Sequence, residues 1–315
     1  MAGAAMKARS PALVAILGPT AVGKTEISVA VATALEAEII SADSRLIYRG
    51  MDIGTAKPSP EQLAQVPHHL IDVAEPEDSW SLARFKHAAD EAITGVQGRK
   101  ELALLVGGTG QYVTAILEGW APPPNAADDS IRIKYEGIAA EHGISALHAE
   151  LEKVDPISAA RIDPENIRRV VRALEVYELT GTPPSEQRRA KPPDYRIFRL
   201  GLRLSRPELY SRIDERIDRM LERGLVAEVQ ALLDRGIELD HSPMSGIGYR
   251  QIGEFLVGRQ TLEEAVAEMR KLTRQFVRRQ ANWFKADDPN IEWNVVSEGL
   301  AERLIDRIRS WLQTG

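Results

Sequence analysis

The amino-acid sequence predicts an α/β fold, with a parallel sheet as its core and a helical domain inserted into that core. Short apolar segments alternate with helical patterns over the first 120 residues, which is typical of βαβ units. A glycine-rich loop of a phosphate-binding type follows the first apolar segment directly. Proline clusters at 121–125 and 191–194 enclose helical segments that contain no convincing strand.

The predicted strands follow from apolar runs of strand length. Four runs are short and apolar enough for buried strands, and the alternating pattern of a fifth fits a half-exposed strand. In chain order these segments are ALVAIL (12–17), EIISA (38–42), HLIDV (69–73), LALLV (102–106) and RIFRLGLRL (196–204).

Helices are predicted where apolar residues recur at helical spacing. In chain order they cover 23–35, 80–97, 109–118, 129–141, 145–153, 164–180, 206–222, 224–235, 248–257, 261–285 and 298–313. These elements divide the chain into a disordered tail (1–10), an α/β core (11–120 and 193–315) and a helical insertion domain (121–192).

Composition narrows the class of protein. The 315 residues carry a net charge of −6 and include no cysteine, which excludes disulfides, a thiolate nucleophile and cysteine-based zinc sites. No apolar run approaches the ~20 residues that a membrane span needs. The run PALVAIL (11–17) fits a buried first strand better than a signal peptide. We therefore expect a cytoplasmic protein with no membrane partner.

The glycine-rich loop has the pattern G-x-x-x-x-G-K-[ST] and lies between a predicted strand and a predicted helix, which indicates a P-loop NTPase-like core. In such loops backbone N–H groups and the lysine surround a di- or triphosphate, and the final hydroxyl reaches its Mg²⁺ ion. Thr25 is the predicted metal ligand. The pattern is satisfied by any pyrophosphate, including that of a nucleotide such as ATP. The predicted diphosphate-binding residues are Gly18, Pro19, Thr20, Ala21, Val22, Gly23, Lys24 and Thr25.

Two further polar residues are expected at the same edge of the sheet. Asp43 follows the second predicted strand and is placed either to cap a helix or to act as a general base, and the pattern alone favours the cap. Thr109 follows the fourth strand within GGTG (107–110), where ligands bind in open α/β sheets. A glycine-rich turn with a capping threonine explains Thr109 equally well.

The segment RKLTRQFVRRQANWFK (270–285) has six basic residues and no acidic residue. On a helix its cations fall within a ~100° arc, while its apolar residues cluster on another face. A solvated helix face usually mixes both signs of charge, so the pattern favours contact with a phosphate backbone. The predicted RNA contacts on this helix are Arg274 and Arg278.

Three classes of function are compatible with these features. One is a small-molecule kinase of the P-loop type. The second is an enzyme that brings a pyrophosphate compound to a polyanion. The third, a non-catalytic RNA-binding module, leaves the phosphate loop and Asp43 without a use.

Seven segments together resemble the tRNA dimethylallyltransferases, also called tRNA isopentenyltransferases. They occur in the family's order and are GPTAVGKT (18–25), ADSRLIYRGMDIGTAKP (42–58), PHHLIDV (67–73), LVGGTGQYV (105–113), NIRRVVRALEVYELTGTP (166–183), SGIGYRQI (245–252) and TRQFVRRQANWF (273–284). The absence of cysteine, and hence of a zinc finger, points to the bacterial type.

The resemblance implies a specific reaction. Such an enzyme transfers a dimethylallyl group from dimethylallyl diphosphate to the exocyclic amine of the adenosine immediately 3′ of the anticodon, in tRNAs that read codons beginning with U. Its partners are then the tRNA anticodon stem-loop and the prenyl donor, its cofactor is Mg²⁺, and it is expected to act as a monomer. The alternative is the P-loop small-molecule kinase.

The resemblance also assigns roles to residues. Asp43 is the base, Lys24 and the phosphate loop stabilise the leaving diphosphate, and Thr109 contacts the target nucleotide. Further residues match positions that the family uses against RNA: Asp43, Ser44, Arg45, Leu46, Arg132, Asn166, Ile167, Arg168, Arg169, Val170, Gly246, Ile247, Gly248, Tyr249, Arg250 and Gln251.

Overall fold

The computed structural model describes residues 11–78, 80–99, 101–122, 129–187 and 190–314; the tail predicted over 1–10 lies outside them. Six strands form one sheet in the order β3-β2-β4-β1-β5-β6, and every pairing is parallel. This confirms the predicted α/β class. The strands are β1 (Ala12–Leu17), β2 (Ala37–Ala42), β3 (His68–His69), β4 (Leu102–Gly107), β5 (Arg196–Arg203) and β6 (Ile291–Val295).

Helices connect the strands and continue after β5. They are α1 (Lys24–Leu35), α2 (Pro60–Gln65), α3 (Leu82–Gly98), α4 (Gly110–Leu117), α5 (Asp129–His142), α6 (Ile144–Val154), α7 (Pro156–Ala159), α8 (Ile167–Thr180), α9 (Pro184–Gln187), α10 (Arg206–Glu222), α11 (Leu225–Asp234), α12 (Tyr249–Leu256), α13 (Leu262–Ala281) and α14 (Leu300–Gln313). No helix in the described ranges is both long and apolar enough to span a bilayer.

The register of the central strands aligns their carboxyl ends. Leu17 of β1 pairs with Gly107 of β4, and Gly107 also pairs with Ala42 of β2. The segments that follow these three strands therefore begin side by side at one edge of the sheet, where ligands bind in open α/β folds. The close pairing explains the glycine at 107, because a Cβ there would lie 2.3 Å from the carbonyl oxygen of Ala42.

Two predicted elements differ from the structure. The strand predicted over 69–73 is only two residues long, because Leu70 and Asp72 have positive φ angles of 63° and 54° that interrupt the extended backbone. The helix predicted over 261–285 begins with a capping box between Thr261 and Glu264 but ends at Ala281. The strand β6 and the short helices α2, α7 and α9 were not predicted, because none of them has an apolar run that reveals it.

The described residues form two compact units. One contains those of Met1–Trp80, His87–Thr114 and Pro193–Gly315, and it includes the whole sheet. The other contains those of Ser81–Lys86 and Ala115–Pro192, with a small core in which Leu147, Leu151 and Val170 are fully buried. We use "sheet unit" and "helical unit" for these two parts.

Candidate active site

The phosphate loop, residues 18–25, folds back around its own lysine. The Lys24 ammonium donates hydrogen bonds to the carbonyl oxygens of Gly18 (2.9 Å) and Pro19 (2.7 Å). Ala21 has a φ of 63°, a conformation that costs energy for a residue with a side chain. Within the described residues, the backbone N–H groups from Ala21 to Thr25 donate no hydrogen bond to another protein group. Unpaired amides on a loop that leads into a helix form a binding site for an anion.

Burial changes the protonation of the lysine. Desolvation lowers the pKa of Lys24 from 10.5 to about 8, although the negative charge of Asp43 opposes this shift. An anion placed among the loop amides would favour the ammonium form and raise the pKa again. A bound diphosphate would therefore keep the Lys24 ammonium charged to a higher pH than in the free protein.

Asp43 lies directly after β2 and caps a turn rather than a helix. Its carboxylate accepts a hydrogen bond from the backbone N–H of Arg45 (2.8 Å), and no helix follows within this segment. Thr109, directly after β4, accepts a hydrogen bond from the backbone N–H of Ser44 (3.2 Å). The prediction that Asp43 caps a helix is therefore wrong, because the residue caps a turn instead. Ser44 links Asp43 and Thr109, because it follows Asp43 in the chain and its N–H binds the Thr109 hydroxyl.

A cavity of about 360 Å³ opens beside these residues within the sheet unit. Polar groups of the phosphate loop (Thr20) and of the two strand ends (Asp43, Thr109) line it. Its apolar lining comes mainly from the helices after β5 and includes Ile213, Ile217, Met220, Tyr249, Met269 and Phe276. A cavity with polar groups on one part of its wall and apolar side chains on the rest suits a ligand that combines an anion with a hydrocarbon.

Arg216 of α10 adds a cation to this cavity. Its guanidinium donates to the hydroxyl of Thr20 (3.4 Å) and to the backbone carbonyl of Thr55 (3.1 Å). Burial lowers the pKa of Arg216, and the charge of Asp43 partly offsets that shift. Arginine stays protonated at physiological pH, so a second positive charge faces the ligand beside Lys24.

The motif MDIGTAKP (51–58) is a scaffold for Arg216. The carboxylate of Glu228 accepts hydrogen bonds from the backbone N–H groups of Asp52 (2.9 Å), Ile53 (2.7 Å) and Gly54 (3.0 Å). It also accepts one from the Tyr249 hydroxyl (2.7 Å). These bonds fix the turn whose next residue, Thr55, holds the Arg216 guanidinium.

Several residues predicted to contact RNA are engaged within the sheet unit. Arg45 donates to the carbonyl oxygen of Ser242 (2.6 Å) and to the hydroxyl of Ser245 (3.0 Å). Tyr249 and Gln251 are only 1% and 3% exposed, so they offer RNA almost no surface in this structure, apart from the part of Tyr249 that lines the cavity. Of the same predicted group, Ser44, Arg45, Gly246 and Ile247 line the cavity, Leu46 is half-buried, Gly248 is buried and Arg250 is exposed.

The predicted cationic face of α13 divides into two sets. Arg270 and Arg274 form ion pairs with Asp218 and Asp214 of α10, both at 2.5 Å. Arg278 is exposed, and its side chain has no ion pair or hydrogen bond with any described residue. The structure therefore leaves Arg278, but not Arg274, fully available to a phosphate.

The helical unit contains the other predicted RNA positions. Asn166 caps α8 by accepting a hydrogen bond from the backbone N–H of Arg169 (3.3 Å). Arg168 and Arg169 are exposed at the start of that helix, Ile167 is half-buried and Val170 is buried. Arg132 pairs with Glu175 at 3.0 Å, a carboxylate that Arg172 also contacts.

Sequence reasoning missed Arg216, Glu228 and Gln280, the last of which contacts the phosphate loop. Arg216 lies on the same face of α10 as Ile213, Ile217 and Met220, all of which are buried. A cation within an apolar stripe at helical spacing is a signal that could have identified it. For Glu228 and Gln280 no comparable signal exists, because their partners are backbone groups distant in sequence.

Known proteins match this chain over most of its length. The sequence profile of IPP transferases matches residues 46–287, and that of isopentenyl transferases matches residues 11–75. A tRNA dimethylallyltransferase of Roseiflexus castenholzii is 53% identical over 273 residues, which are 87% of this chain and 89% of the relative.

Two solved structures extend the match to the fold. The full-length tRNA isopentenylpyrophosphate transferase from Bacillus halodurans has a TM-score of 0.71 at 42% identity, covering 96% of this chain and 97% of its own. A eukaryotic dimethylallyltransferase described as acting on tRNA has a TM-score of 0.82 at 25% identity, covering 97% of this chain and 80% of its own.

Proposed function

The chain belongs to the IPP transferase family, and from that premise we propose that it transfers a dimethylallyl group from dimethylallyl diphosphate to tRNA. The acceptor is the exocyclic amine of the adenosine immediately 3′ of the anticodon, in tRNAs that read codons beginning with U. The observation that carries this proposal is a phosphate loop that shares one cavity with a carboxylate and with an apolar wall.

The phosphate loop holds the diphosphate of the donor. Negative charge grows on this leaving group as the carbon–oxygen bond breaks, so fixed donors there stabilise the transition state. The amides from Ala21 to Thr25, the Lys24 ammonium and the Arg216 guanidinium are the groups available for this task. The apolar side chains of the cavity then accommodate the dimethylallyl group.

A divalent metal ion fits the same loop. Mg²⁺ prefers oxygen ligands and usually takes few from the protein, the rest coming from water and substrate phosphates. The Thr25 hydroxyl satisfies this requirement, since it donates to no described residue and lies at the first turn of α1. When bound, Mg²⁺ supplies charge neutralisation of the leaving diphosphate.

Asp43 serves as the base. The exocyclic amine of adenine is a weak nucleophile that becomes acidic as it attacks carbon, so a neighbouring carboxylate can accept the released proton. Asp43 lines the same cavity as the apolar side chains, and its bond to the Arg45 N–H fixes the carboxylate in place. Thr109 orients the target nucleotide from the adjacent strand end. The adenine has to leave the anticodon-loop stack to reach these groups.

The alternative, a small-molecule kinase, is not favoured. Beyond the phosphate loop, the cavity wall includes the apolar side chains of Ile213, Ile217 and Phe276, which suit the hydrocarbon part of a prenyl donor. The similar relatives include tRNA dimethylallyltransferases that are 47–53% identical to this chain.

The molecule that becomes labelled distinguishes a tRNA prenyltransferase from a small-molecule kinase. The protein is incubated with unmodified bulk tRNA and dimethylallyl diphosphate carrying label in the prenyl group, and separately with γ-labelled ATP and a metabolite extract. The proposal predicts label that precipitates with RNA in the first reaction and no transfer in the second. Label on a small acceptor in the ATP reaction, with none on RNA, would instead establish a kinase.

A further inference from the structure

A buried glutamine joins the two halves of the reaction centre. Gln280 of α13 is 4% exposed, and both polar atoms of its side chain are used. Its Oε1 accepts a hydrogen bond from the backbone N–H of Thr20 in the phosphate loop (3.0 Å). Its Nε2 donates to the backbone carbonyl of Gly108, the residue before Thr109 (2.9 Å). One side chain thus bridges the donor loop and the end of β4.

Packing around Gly108 shows how closely these parts meet. A Cβ at this position would lie 2.4 Å from the Gln280 Nε2, 3.0 Å from the Gly18 carbonyl oxygen and 3.4 Å from the Lys24 Nζ. Only glycine leaves room for the three groups to converge. The Gln280 side chain therefore forms a short bridge between the Thr20 N–H and the Gly108 carbonyl. Small changes in the length of this bridge alter the distance between the phosphate loop and the strand end that carries Thr109.

The bridge also decides which amides of the loop remain available. Gln280 engages the N–H of Thr20, whereas the amides from Ala21 onward have no acceptor among the described residues. The loop is anchored at its start and open over the part that would surround a diphosphate. Such an arrangement keeps the strained loop in one conformation without competing for its anion-binding groups.

We propose that Gln280 is a positioning residue that sets the distance between the donor's diphosphate and the Asp43–Thr109 side of the cavity. This inference rests on the proposed function, because it concerns the same reaction. It extends the role of α13, whose Thr273, Phe276 and Arg279 line the cavity, to the alignment of the phosphate loop.

The test compares Gln280→Met with Gln275→Met. Methionine has a similar length but neither donates nor accepts the two bonds. Gln275 lies on the same helix and is half-buried, and its side chain has no hydrogen bond with a described residue, so its substitution is the matched control. A second variant, Gln280→Glu, keeps an acceptor for the Thr20 N–H but loses the donor to the Gly108 carbonyl.

Steady-state constants give the decisive measurement. A misplacement of about 1 Å can cost about 10²-fold in rate. We therefore expect Gln280→Met and Gln280→Glu to lower kcat by about 10- to 100-fold. The affinity for tRNA stays unchanged, and Gln275→Met behaves like the wild type. A merely structural role would lower the melting temperature and leave kcat per folded molecule unaltered. Wild-type kcat in either folded Gln280 variant overturns the proposal.

Binding of inorganic diphosphate, measured by calorimetry on the same proteins, separates this inference from the proposed function. We expect Gln280→Met to weaken that binding about tenfold relative to Gln275→Met, because the start of the loop is no longer held. If the wild-type protein binds diphosphate but never transfers the prenyl group to tRNA, the proposed function fails. The role of Gln280 is still tested in that case, by the difference in diphosphate affinity between Gln280→Met and Gln275→Met. Equal affinities together with equal kcat values would reject the bridge while the transferase function stands.

Discussion

At the scale of single residues, the centre combines strain with unpaired polar groups. Ala21 keeps a positive φ, and the amides that follow it have no acceptor among the described residues. Both features cost stability unless a ligand uses them. Asp43 lines the cavity and also accepts a hydrogen bond from the Arg45 N–H, which stabilises the turn. A test of its role as a base therefore needs a substitution that preserves this hydrogen bond.

Asp43→Asn is that substitution. The asparagine side-chain oxygen still accepts the Arg45 N–H, so the turn is retained, but the amide does not accept a proton. We expect kcat to fall by about 10² to 10⁴, the usual contribution of a positioned base. The affinities for tRNA and for dimethylallyl diphosphate should change little. Single-turnover prenyl transfer with both substrates saturating checks this, and near-normal turnover would reduce Asp43 to a turn cap.

We expect the lysine of the phosphate loop to make donor capture depend on pH. Its pKa of about 8 in the free protein lies below the ordinary value, so its charge is present at lower pH and is lost as the pH rises through about 8. Capture of the donor, measured as kcat/KM for dimethylallyl diphosphate, should fall over that same range.

Lys24→Arg supplies the control for that pH profile. A guanidinium keeps its charge well above pH 8, so the fall in kcat/KM should move to higher pH even if the absolute rate is lower. Identical falling limbs in the wild type and the variant would show that a group other than Lys24 controls donor capture.

At the scale of elements, the cations of α13 differ in their contacts. Arg270 and Arg274 hold it to α10 through Asp218 and Asp214, and Arg274 also lies over the Tyr210 ring, 5.3 Å from its centroid. Arg278 faces solvent. The sequence shows a single stripe of cations, and only the partners on α10 reveal that part of this stripe is structural.

A matched pair of substitutions tests whether Arg278 binds tRNA while Arg274 stabilises the fold. Arg278→Ala should flatten the slope of log affinity for tRNA against log salt by about 0.7, the value for one phosphate contact on a single strand. Arg274→Ala should leave that slope nearly unchanged and lower the free energy of unfolding by up to about 1 kcal/mol, as expected for a partly exposed ion pair. Salt titrations of tRNA binding and thermal unfolding measure both, and a reversed pattern would refute the division.

The elements also show what the sequence could predict. Parallel strands such as β1 and β4 were identified because their apolar runs are continuous. The strand at 69–73 was overestimated because positive φ values at Leu70 and Asp72 have no signature in the sequence. The site was predicted at its strand ends, where Asp43 and Thr109 follow apolar runs. Arg216 and Gln280 reach it from helices after β5, through contacts that only the tertiary fold determines.

At the scale of the whole molecule, the two compact units contain different parts of the proposed function. The sheet unit holds the phosphate loop, Asp43 and the cavity. The helical unit has its own core and exposes Arg168 and Arg169 at the start of α8, whereas its Arg132 and Arg172 are paired with Glu175. We therefore expect donor chemistry and part of the RNA binding to belong to separate units.

The double variant Arg168→Ala/Arg169→Ala tests this separation. We expect weaker tRNA binding and a salt slope flattened by up to about 1.4, corresponding to two phosphate contacts, because both cations are exposed. The KM for dimethylallyl diphosphate should stay at its wild-type value. The double variant Arg161→Ala/Arg223→Ala, at two other exposed arginines, controls for a general loss of positive charge. A raised donor KM with unchanged tRNA affinity would contradict the separation.

The position of the product on tRNA tests the central claim most directly. An unmodified tRNA that reads a codon beginning with U is incubated with the protein and dimethylallyl diphosphate, digested with a base-specific nuclease and analysed by mass spectrometry. The account predicts one dimethylallyl group, on the adenosine immediately 3′ of the anticodon, and a strongly reduced yield with Asp43→Asn. Prenylation at any other nucleotide, or an unmodified tRNA after the donor has been consumed, would contradict it.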